Sequence, residues 1–329
     1  MTGLAPDWRE RVADPAQIAR LDRFVRAEGP GRGDRVLQAV SGGGLVLDIF
    51  PDRCFDIGHA SFNGLPLAWV APDRWDAART ARPGMQWLRG FGGGLLTTCG
   101  LDSFGPPSSD GGREHGLHGP VSAQAGELLE SRVGPEGIVI AGRVGQSALF
   151  GEGLTLVRRI EIPLGGRELR LTDRVTNEAV DPEGHMMLWH CNFGWPLLDE
   201  GCHVEGPGGR PAARDAAAER GLETWNAVHG PRETYGEQVF VHSAPGEAAA
   251  RLVNPARGIA VRLDWDGTAM PAMFQWKMLR RRHYVMGLEP ANTHAIMGRA
   301  RARAEGALPV LAPGETVTYR LRLSVEVLS

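Results

Sequence analysis

Apolar and polar residues alternate along several segments of this chain as they do in half-buried β-strands. In residues 154–162, leucine or isoleucine occupies every second position except the middle one, which is an arginine. The alternation starts again in residues 167–175, after Gly165-Gly166. A period of two indicates a strand with one face in a core. The two segments and the glycine pair between them predict a β-hairpin.

The C-terminal residues 317–327 alternate more regularly still, with valine, tyrosine or leucine at each odd position. Asn63-Gly64 lies between two further strand-like segments and predicts a tight hairpin turn. Strands are not interleaved with helical segments, so a parallel doubly wound sheet is not expected. The pattern favours an all-β antiparallel sandwich. Residues 71–120 and 208–235 interrupt it and are expected to form long loops, the second with a short helix, and such loops are often functional.

One N-terminal segment has helical spacing instead. Asp14 is a candidate N-cap, Pro15 suits the first helical position and Gln17 completes a capping box. Apolar residues then recur on one helical face up to Gly29; they are Ile18, Leu21, Phe24 and Val25. The sequence therefore predicts a helical extension over residues 1–35, appended to a single β-domain over residues 36–329.

Charge and composition narrow the function classes. The chain has 36 basic and 39 acidic residues and a net charge of −3, so it has neither the basic footprint of a nucleic-acid-binding protein nor a lipid-binding basic cluster. No apolar run is long enough to span a bilayer, and the N-terminus lacks the apolar core of a signal peptide. The four cysteines are widely scattered and form no CxxC pair, which favours free thiols and a cytoplasmic location.

Three segments combine ionisable side chains with glycine, aromatic residues or proline: residues 113–119, 188–196 and 286–292. The first contains His115 and His118, whose spacing also occurs in metal sites, although no third ligand is evident and His115 can equally be a surface residue. The second contains His190, for which a hydrogen-bonded core histidine is the competing interpretation. The third places Glu289 before a proline, where the backbone is extended.

Taken together, these segments resemble the aldose 1-epimerase (galactose mutarotase) superfamily. Leu117-His118-Gly119 matches the motif of its sugar-contacting histidine, and residues 190–193 resemble the segment of its general acid. Leu288-Glu289-Pro290 matches the segment of its catalytic base, and Arg53 corresponds to its sugar-contacting arginine. Residues 51–53, 93–101 and 192–198 resemble more narrowly a domain-of-unknown-function branch of that superfamily.

The resemblance implies a large antiparallel β-supersandwich with Glu289 as general base and His190 as general acid. It implies no metal and no cofactor, and its expected partner is a small-molecule carbohydrate; a homodimer is left open. Arg53 and His118 are expected to contact the sugar. Further candidates, each of which can instead be a solvated or core residue, are hydroxyl-binding groups (Asp102, Asn192 and Lys277) and stacking platforms (Trp87, Trp189, Trp195 and Trp276).

The implied reaction opens and closes the ring of a hemiacetal by general acid–base catalysis. Three alternatives remain open at this stage. The same acid–base pair suits an isomerase or epimerase acting on the open-chain sugar, or a lyase or hydrolase acting on a modified sugar. A non-catalytic sugar-binding protein would retain the aromatic platforms without requiring both His190 and Glu289.

Overall fold

β-Strands make up most of the regular structure in the computed structural model, which describes residues 7–29, 31–72, 84–149 and 151–328. In chain order the strands are β1 (Arg20–Val25), β2 (Arg35–Val40), β3 (Leu45–Phe50), β4 (Asp56–Phe62), β5 (Leu65–Pro66), β6 (Thr97–Cys99), β7 (Ser108–Asp110), β8 (Arg113–His115), β9 (Glu127–Gly134), β10 (Gly137–Ser147), β11 (Gly153–Pro163), β12 (Glu168–Asn177), β13 (Glu183–Gly184), β14 (Leu188–Gly194), β15 (His203–Glu205), β16 (Ala212–Ala213), β17 (Gln238–Ser243), β18 (Glu247–Asn254), β19 (Ile259–Asp266), β20 (Ala272–Arg280), β21 (His283–Ala291), β22 (Val310–Leu311) and β23 (Thr316–Val327).

Helices are short. The α-helices are α1 (Ala216–Glu219) and α2 (Arg299–Ala304), and the 3₁₀ turns cover Trp8–Glu10, Pro15–Gln17, Gly84–Arg89, Val121–Ala123, Leu222–Thr224 and Pro255–Arg257. None of the helices in the described ranges has the length and apolar character that a membrane crossing requires.

The larger sheets are antiparallel throughout. An eight-stranded sheet has the order β15-β18-β19-β23-β12-β11-β10-β9, a six-stranded sheet β16-β17-β20-β21-β14-β6, and a five-stranded sheet β1-β2-β3-β4-β5; two-stranded sheets pair β7 with β8 and β13 with β22. The antiparallel β-supersandwich expected from the sequence is confirmed.

The hairpins predicted from alternation are also present. β11 pairs with β12, with Ile160 opposite Leu171, and β23 lies between β12 and β19 in the eight-stranded sheet. Asn63 and Gly64 form the turn between β4 and β5 with φ angles of 50° and 79°, as a two-residue hairpin turn requires. Alternation is a local property, so these elements could be identified without knowledge of their partners.

The prediction of an N-terminal helix is wrong. Asp14 does accept a hydrogen bond from the Ala16 amide, but the helix is only the 3₁₀ turn Pro15–Gln17. The chain then forms β1, which pairs with β2 along its whole length. Phe24 and Val25, expected on a buried helical face, remain half exposed or more. Strand pairing satisfies the backbone of this segment, whereas a helix would have needed a partner surface for its apolar face. The proposed boundary after residue 35 therefore falls inside β2 and would divide a sheet that includes both β1 and β2.

Apolar side chains pack in two main clusters separated by the six-stranded sheet. The larger cluster joins side chains from the five-, six- and eight-stranded sheets, among them Leu47, Ile140, Leu156, Leu171, Trp189, Leu263 and Leu323. The smaller cluster includes Trp87, Phe91, Phe104, Leu188 and Phe274. Alternate residues of β14 point to opposite faces of the sheet. Trp189 and Cys191 pack in the larger cluster, and Leu188 packs in the smaller one. His190 projects to the same side as Leu188.

Candidate functional site

The two candidate catalytic residues come from adjacent strands of the six-stranded sheet. β14 pairs with β21 with Cys191 opposite Leu288, which places His190 directly opposite Glu289. His190 Nε2 lies 3.4 Å from Glu289 Oε1, and the two side chains are only 7% and 4% exposed. Two residues 99 positions apart in the chain are thus brought together by strand register.

Gly287 provides the space for this carboxyl group. It lies two residues before Glu289 on β21 and therefore on the same face of the strand. A Cβ atom at position 287 would lie 2.3 Å from Glu289 Oε1 and 3.0 Å from the Cβ of Trp276. The glycine of the Gly-Leu-Glu-Pro segment is consequently needed for Glu289 to adopt its observed position.

His118 reaches the same site from a loop. Its φ angle is +56°, and backbone hydrogen bonds hold it in this left-handed conformation: its N–H donates to the Gly105 carbonyl at 3.0 Å, and its carbonyl accepts from Gly100 at 3.0 Å. The His118 ring lies 5.7 Å from the His190 ring and 4.7 Å from the Trp87 ring between centroids. His115, three residues earlier, instead bonds Asp102 through Nδ1 at 2.7 Å, so the two histidines do not act together.

A cavity of about 420 Å³ contains these three side chains. Its described lining residues are Met85, Trp87, Leu88, Phe91, Gly105, Pro106, Leu117, His118, His190, Arg214, Asp215, Glu237, Val239, Trp276, Glu289, Ile296 and Met297. Trp87 and Phe91 stack with centroids 4.5 Å apart, and His190 lies between Phe91 and Trp276 at 5.2 and 5.4 Å. An apolar wall with a few convergent polar groups is typical of a small-molecule site.

Burial controls the protonation of the pair. It raises the pKa of Glu289 well above its ordinary value, and the nearby Glu237 adds to the effect. Burial also lowers the pKa of His190 well below its ordinary value, with a further contribution from His118, and burial lowers the pKa of His118 to about 4. Both shifts favour the uncharged forms of the pair, a carboxylic acid beside a neutral imidazole.

Two polar atoms of the pair have no hydrogen-bond partner among the described residues. They are Glu289 Oε1 and His190 Nδ1, and both are buried. A buried polar group without a partner is costly and rare in folded proteins. Such atoms at the wall of a cavity indicate that a ligand or water supplies the missing hydrogen bonds.

A set of charged residues, none of them identified from the sequence, forms the polar part of the cavity wall. The Arg214 guanidinium lies 2.7 Å from Asp215 Oδ2 and 2.9 Å from Glu237 Oε1. The indole N–H of Trp276 donates to the other Glu237 oxygen at 3.2 Å. Glu237 thus holds the side chains of both Arg214 and Trp276 in position. The available signal was the unusual length of the loop at residues 208–235, which contains Arg214 and Asp215.

Comparison with known proteins identifies the family of this chain. A family model described as a domain of unknown function, DUF4432, matches residues 31–325. The chain belongs to this family. No curated protein matches it in sequence.

Solved structures of other proteins share the fold of this chain. A candidate aldose 1-epimerase from Klebsiella pneumoniae subsp. pneumoniae MGH 78578 is 24% identical, with a TM-score of 0.84 over 97% of this chain and 86% of that chain. A galactose mutarotase-like protein from Clostridium acetobutylicum is 12% identical, with a TM-score of 0.66 over 95% and 100% of the two chains. A galactose 1-epimerase from Lactobacillus acidophilus NCFM is 11% identical, with a TM-score of 0.60 over 94% and 99%. At these identities the similarity establishes the galactose mutarotase-like fold.

Of the six expected sugar-binding residues, only His118 is among the described residues that line the cavity. Arg53 donates a hydrogen bond at 2.7 Å to the carbonyl of Gly90, which ends the turn that carries Trp87. Trp195 is 65% exposed and lines a different surface depression with His59 and Arg282. Lys277 is buried and donates to the Thr224 carbonyl at 2.7 Å; it follows Trp276 on β20 and so points to the opposite face.

The other two expected sugar-binding residues, Asp102 and Asn192, have hydrogen-bonding roles inside the protein. Asp102 accepts from Gln146 at 2.6 Å in addition to its bond with His115. The Asn192 amide donates to the carbonyls of Gly94 at 3.0 Å and His190 at 2.9 Å. Asn192 therefore supports the strand that carries His190. Of the four tryptophans considered as platforms, Trp87 and Trp276 line the cavity, whereas Trp189 is fully buried and bonded to Asp173.

Proposed function

We propose that this protein is an aldose 1-epimerase, an enzyme that interconverts the anomers of a sugar by opening and closing its ring. The observation that carries the proposal is the buried Glu289 Oε1 in an aromatic-walled cavity, which lies 3.4 Å from His190 Nε2 and has no hydrogen-bond partner in the described part of the chain. Two structural neighbours, a candidate aldose 1-epimerase and a galactose 1-epimerase, support the proposal.

The proposed reaction needs one group that accepts a proton and one that donates a proton. Glu289 accepts the proton of the anomeric hydroxyl while protonated His190 donates a proton to the ring oxygen. The bond between C1 and the ring oxygen breaks, giving an open-chain aldehyde and a free hydroxyl. Rotation about the C1–C2 bond presents the other face of the carbonyl, and closure returns both protons. Each catalytic group is expected to contribute a factor of ~10²–10⁴.

The uncharged forms that burial favours are compatible with these roles. A carboxylic acid beside a neutral imidazole contains the same number of protons as a carboxylate beside an imidazolium. One proton transfer within the pair, whose facing atoms are 3.4 Å apart, converts the first form into the second. Hydroxyl groups that donate to the carboxylate favour its charged form. A bound sugar, which supplies such hydroxyls, therefore promotes the reactive form.

The remaining wall suits a sugar ring. The C–H faces of a pyranose pack on aromatic rings such as Trp87, Phe91 and Trp276. His118 has its pKa lowered to about 4 by burial, so its neutral imidazole both donates and accepts hydrogen bonds at physiological pH. We assign it to orienting a sugar hydroxyl.

The test is anomer interconversion followed by polarimetry with freshly dissolved α-anomers of several aldoses. The wild-type protein is expected to accelerate equilibration, and Glu289→Gln is expected to reduce turnover by at least ~10²-fold because it removes the base but keeps the shape. Glu233→Gln, an exposed glutamate outside the cavity, is the matched control and is expected to behave as wild type.

Repeating the assay in D₂O separates ring opening from isomerisation. Anomer interconversion leaves every C–H bond intact, so no deuterium should appear on carbon. Incorporation of deuterium at C2 would assign the protein to the open-chain isomerases instead. Absence of catalysis on every sugar, together with tight binding of one of them, would leave a sugar-binding protein.

A further inference from the structure

Glu237 lies at the cavity wall, immediately before strand β17, and both of its carboxylate oxygens are hydrogen-bonded. Oε1 accepts from the Arg214 guanidinium at 2.9 Å, and Oε2 accepts from the Trp276 indole N–H at 3.2 Å. The Glu237 side chain is 42% exposed, whereas that of Glu289 is 4% exposed. Glu237 is therefore a carboxylate that solvent can reach but that is held in one position.

Trp276 connects Glu237 with the acid–base pair. It lies on β20 opposite Gly287, two residues before Glu289 on β21. Its ring lies 5.4 Å from the His190 ring between centroids, at an interplanar angle of 82°. The indole cannot turn away from His190 without losing its hydrogen bond to the Glu237 carboxylate, and hydrogen bonds to charged groups are stronger than neutral ones. Glu237 therefore holds the part of the wall that His190 contacts.

The titratable groups packed closest around Glu289 favour their uncharged forms. They come from the loop after β8, from β14 and from β6, and they are His118, His190, Cys191 and Cys99. Burial lowers the pKa of both histidines and raises the pKa of both thiols. The charges that act on Glu289 are therefore those of the polar part of the wall.

Three charged side chains remain among the described residues that line the cavity: Arg214, Asp215 and Glu237. One oxygen of Asp215 caps α1 and the other pairs with Arg214. Burial is the main cause of the raised pKa of Glu289, the charge of Glu237 raises that pKa further, and the charge of Arg214 opposes it. The Arg214–Glu237 ion pair, here called the wall pair, thus presents two opposed charges to Glu289.

We propose that Glu237 is a positioning residue of the proposed epimerase, which holds Trp276 against His190 and whose charge sets the pH range of the reaction. Arg214 supplies the opposing charge of the wall pair. This inference rests on the proposed epimerase function and adds to it a residue that acts through Trp276 and Glu289.

The direction of the effect follows from the proton count of the pair. The reactive form has one proton shared between Glu289 and His190. Loss of this proton at high pH sets the alkaline limb of the kcat/KM profile, which reports the free enzyme. Removing the negative charge of Glu237 makes this loss easier, so the alkaline limb should move to lower pH. Removing the positive charge of Arg214 should move the same limb to higher pH.

The experiment measures kcat/KM against pH in Glu237→Gln and Arg214→Gln, with each profile scaled to its own maximum. The two variants are expected to shift the alkaline limb in opposite directions. Glutamine at position 237 retains an acceptor for the Trp276 indole, so KM should stay near the wild-type value. Glu237→Ala removes that acceptor as well as the charge, and it should also raise KM by about 10-fold.

The Glu205–Arg251 ion pair is a matched control on β15 and β18, outside the cavity. Its side chains are 47% and 24% exposed, against 42% and 24% for Glu237 and Arg214. Glu205→Gln and Arg251→Gln should leave the alkaline limb and KM at their wild-type values. Equal shifts in these controls would overturn the inference, because the wall pair would then have no special effect on the site.

Infrared spectroscopy of the proteins without ligand gives a second readout that requires no turnover. The carbonyl-stretching band of the Glu289 carboxylic acid, assigned by its absence in Glu289→Gln, disappears as the group ionises. Its midpoint should move to lower pH in Glu237→Gln and to higher pH in Arg214→Gln. A purely structural role of the wall pair would not produce opposite shifts.

The possible results distinguish the two proposals. Midpoints that stay unchanged, or that move in the same direction in both variants, would overturn the inference and leave the epimerase function intact. A loss of kcat of at least ~10²-fold at every pH in Glu237→Gln would also overturn it, because Glu237 would then be a catalytic group. Opposite shifts of the midpoint in a protein that equilibrates no aldose would support the effect of the wall pair on Glu289 and count against the epimerase function.

Discussion

Two buried groups of ionisable side chains lie on opposite sides of strand β14 and differ in how fully they are hydrogen-bonded. On the side of the main core, Asp173 accepts from Arg158 at 2.9 and 2.7 Å and from the Trp189 indole at 2.9 Å. Arg158 also donates to Asp56 at 3.2 Å. On the cavity side, Glu289 Oε1 and His190 Nδ1 have no hydrogen-bond partner among the described residues. Trp189 therefore belongs to a network whose hydrogen bonds are complete, whereas the next residue on the same strand, His190, belongs to a pair whose hydrogen bonds are incomplete.

The difference separates a structural role from a functional one. A buried ion pair whose lone pairs and protons are all satisfied needs no ligand, and its removal damages the fold. An incomplete pair of buried groups with strongly shifted pKa values at a cavity wall is instead a candidate for chemistry. Burial alone would not have distinguished the two groups, because both are almost inaccessible to solvent.

The largest expected effect is on stability, from Arg158→Met. This change leaves Asp173 and Asp56 buried without their cation, and breaking a buried pair by removing one partner costs about 3–5 kcal/mol. Urea unfolding should show this loss. The neighbouring Arg159→Met is the control, because Arg159 forms partly exposed pairs with Glu130 and Glu161 worth at most about 1 kcal/mol. Equal effects of the two variants would show that the core network is not the stabilising element proposed here.

The second prediction concerns turnover, which should depend strongly on Glu289 and His190, the pair with incomplete hydrogen bonds. Glu289→Gln and His190→Asn are each expected to reduce kcat by at least ~10²-fold. The double variant should lose little more than either single one, since groups that act as a unit are not additive. The control combines Glu289→Gln with Trp195→Ala, because Trp195 lies outside the cavity. In that double variant, the fold reductions in kcat of the two single variants should multiply. Independent, multiplying losses at Glu289 and His190 would contradict their assignment as one acid–base pair.

The sequence predicted what depends on local pattern. Strands β11, β12 and β23 could be predicted because a two-residue period is visible within each segment. His118, His190 and Glu289 could be identified because each lies in a short segment with a recognisable order of residue types. The structure brings these three together in one cavity.

The predictions that failed concerned residues whose structure depends on contacts with residues far away in the chain. Residues 20–25 have helical spacing, but the available edge of β2 makes them a strand. Arg53 and Trp195 were reasonable sugar contacts by residue type, yet the fold directs one to the Gly90 carbonyl and leaves the other exposed outside the cavity. Arg214 and Glu237 lie in or beside a loop without periodicity, so only the three-dimensional arrangement identifies them.

The smallest expected effect is a gain in stability from Glu289→Gln that grows with pH. Burial raises the pKa of Glu289 well above its ordinary value, so folding favours its protonated form. That contribution to stability is fully present below the unfolded-state pKa of about 4.3 and is lost as pH rises through the higher folded-state pKa. Glutamine is neutral throughout and does not suffer this loss. Thermal unfolding of the proteins without ligand should therefore give similar Tm values near pH 4 and a Tm higher by one to a few degrees for the variant at alkaline pH. A difference of about 1 kcal/mol corresponds to roughly 2–4 °C in a chain of 150–250 residues and to less in this longer chain. Asp173→Asn, in the completed network, should lower Tm at neutral pH because it removes a carboxylate that Arg158 and Trp189 require. If Glu289→Gln also lowered Tm across the pH range, Glu289 would be a stabilising member of the fold and the contrast between the two sides of β14 would not hold.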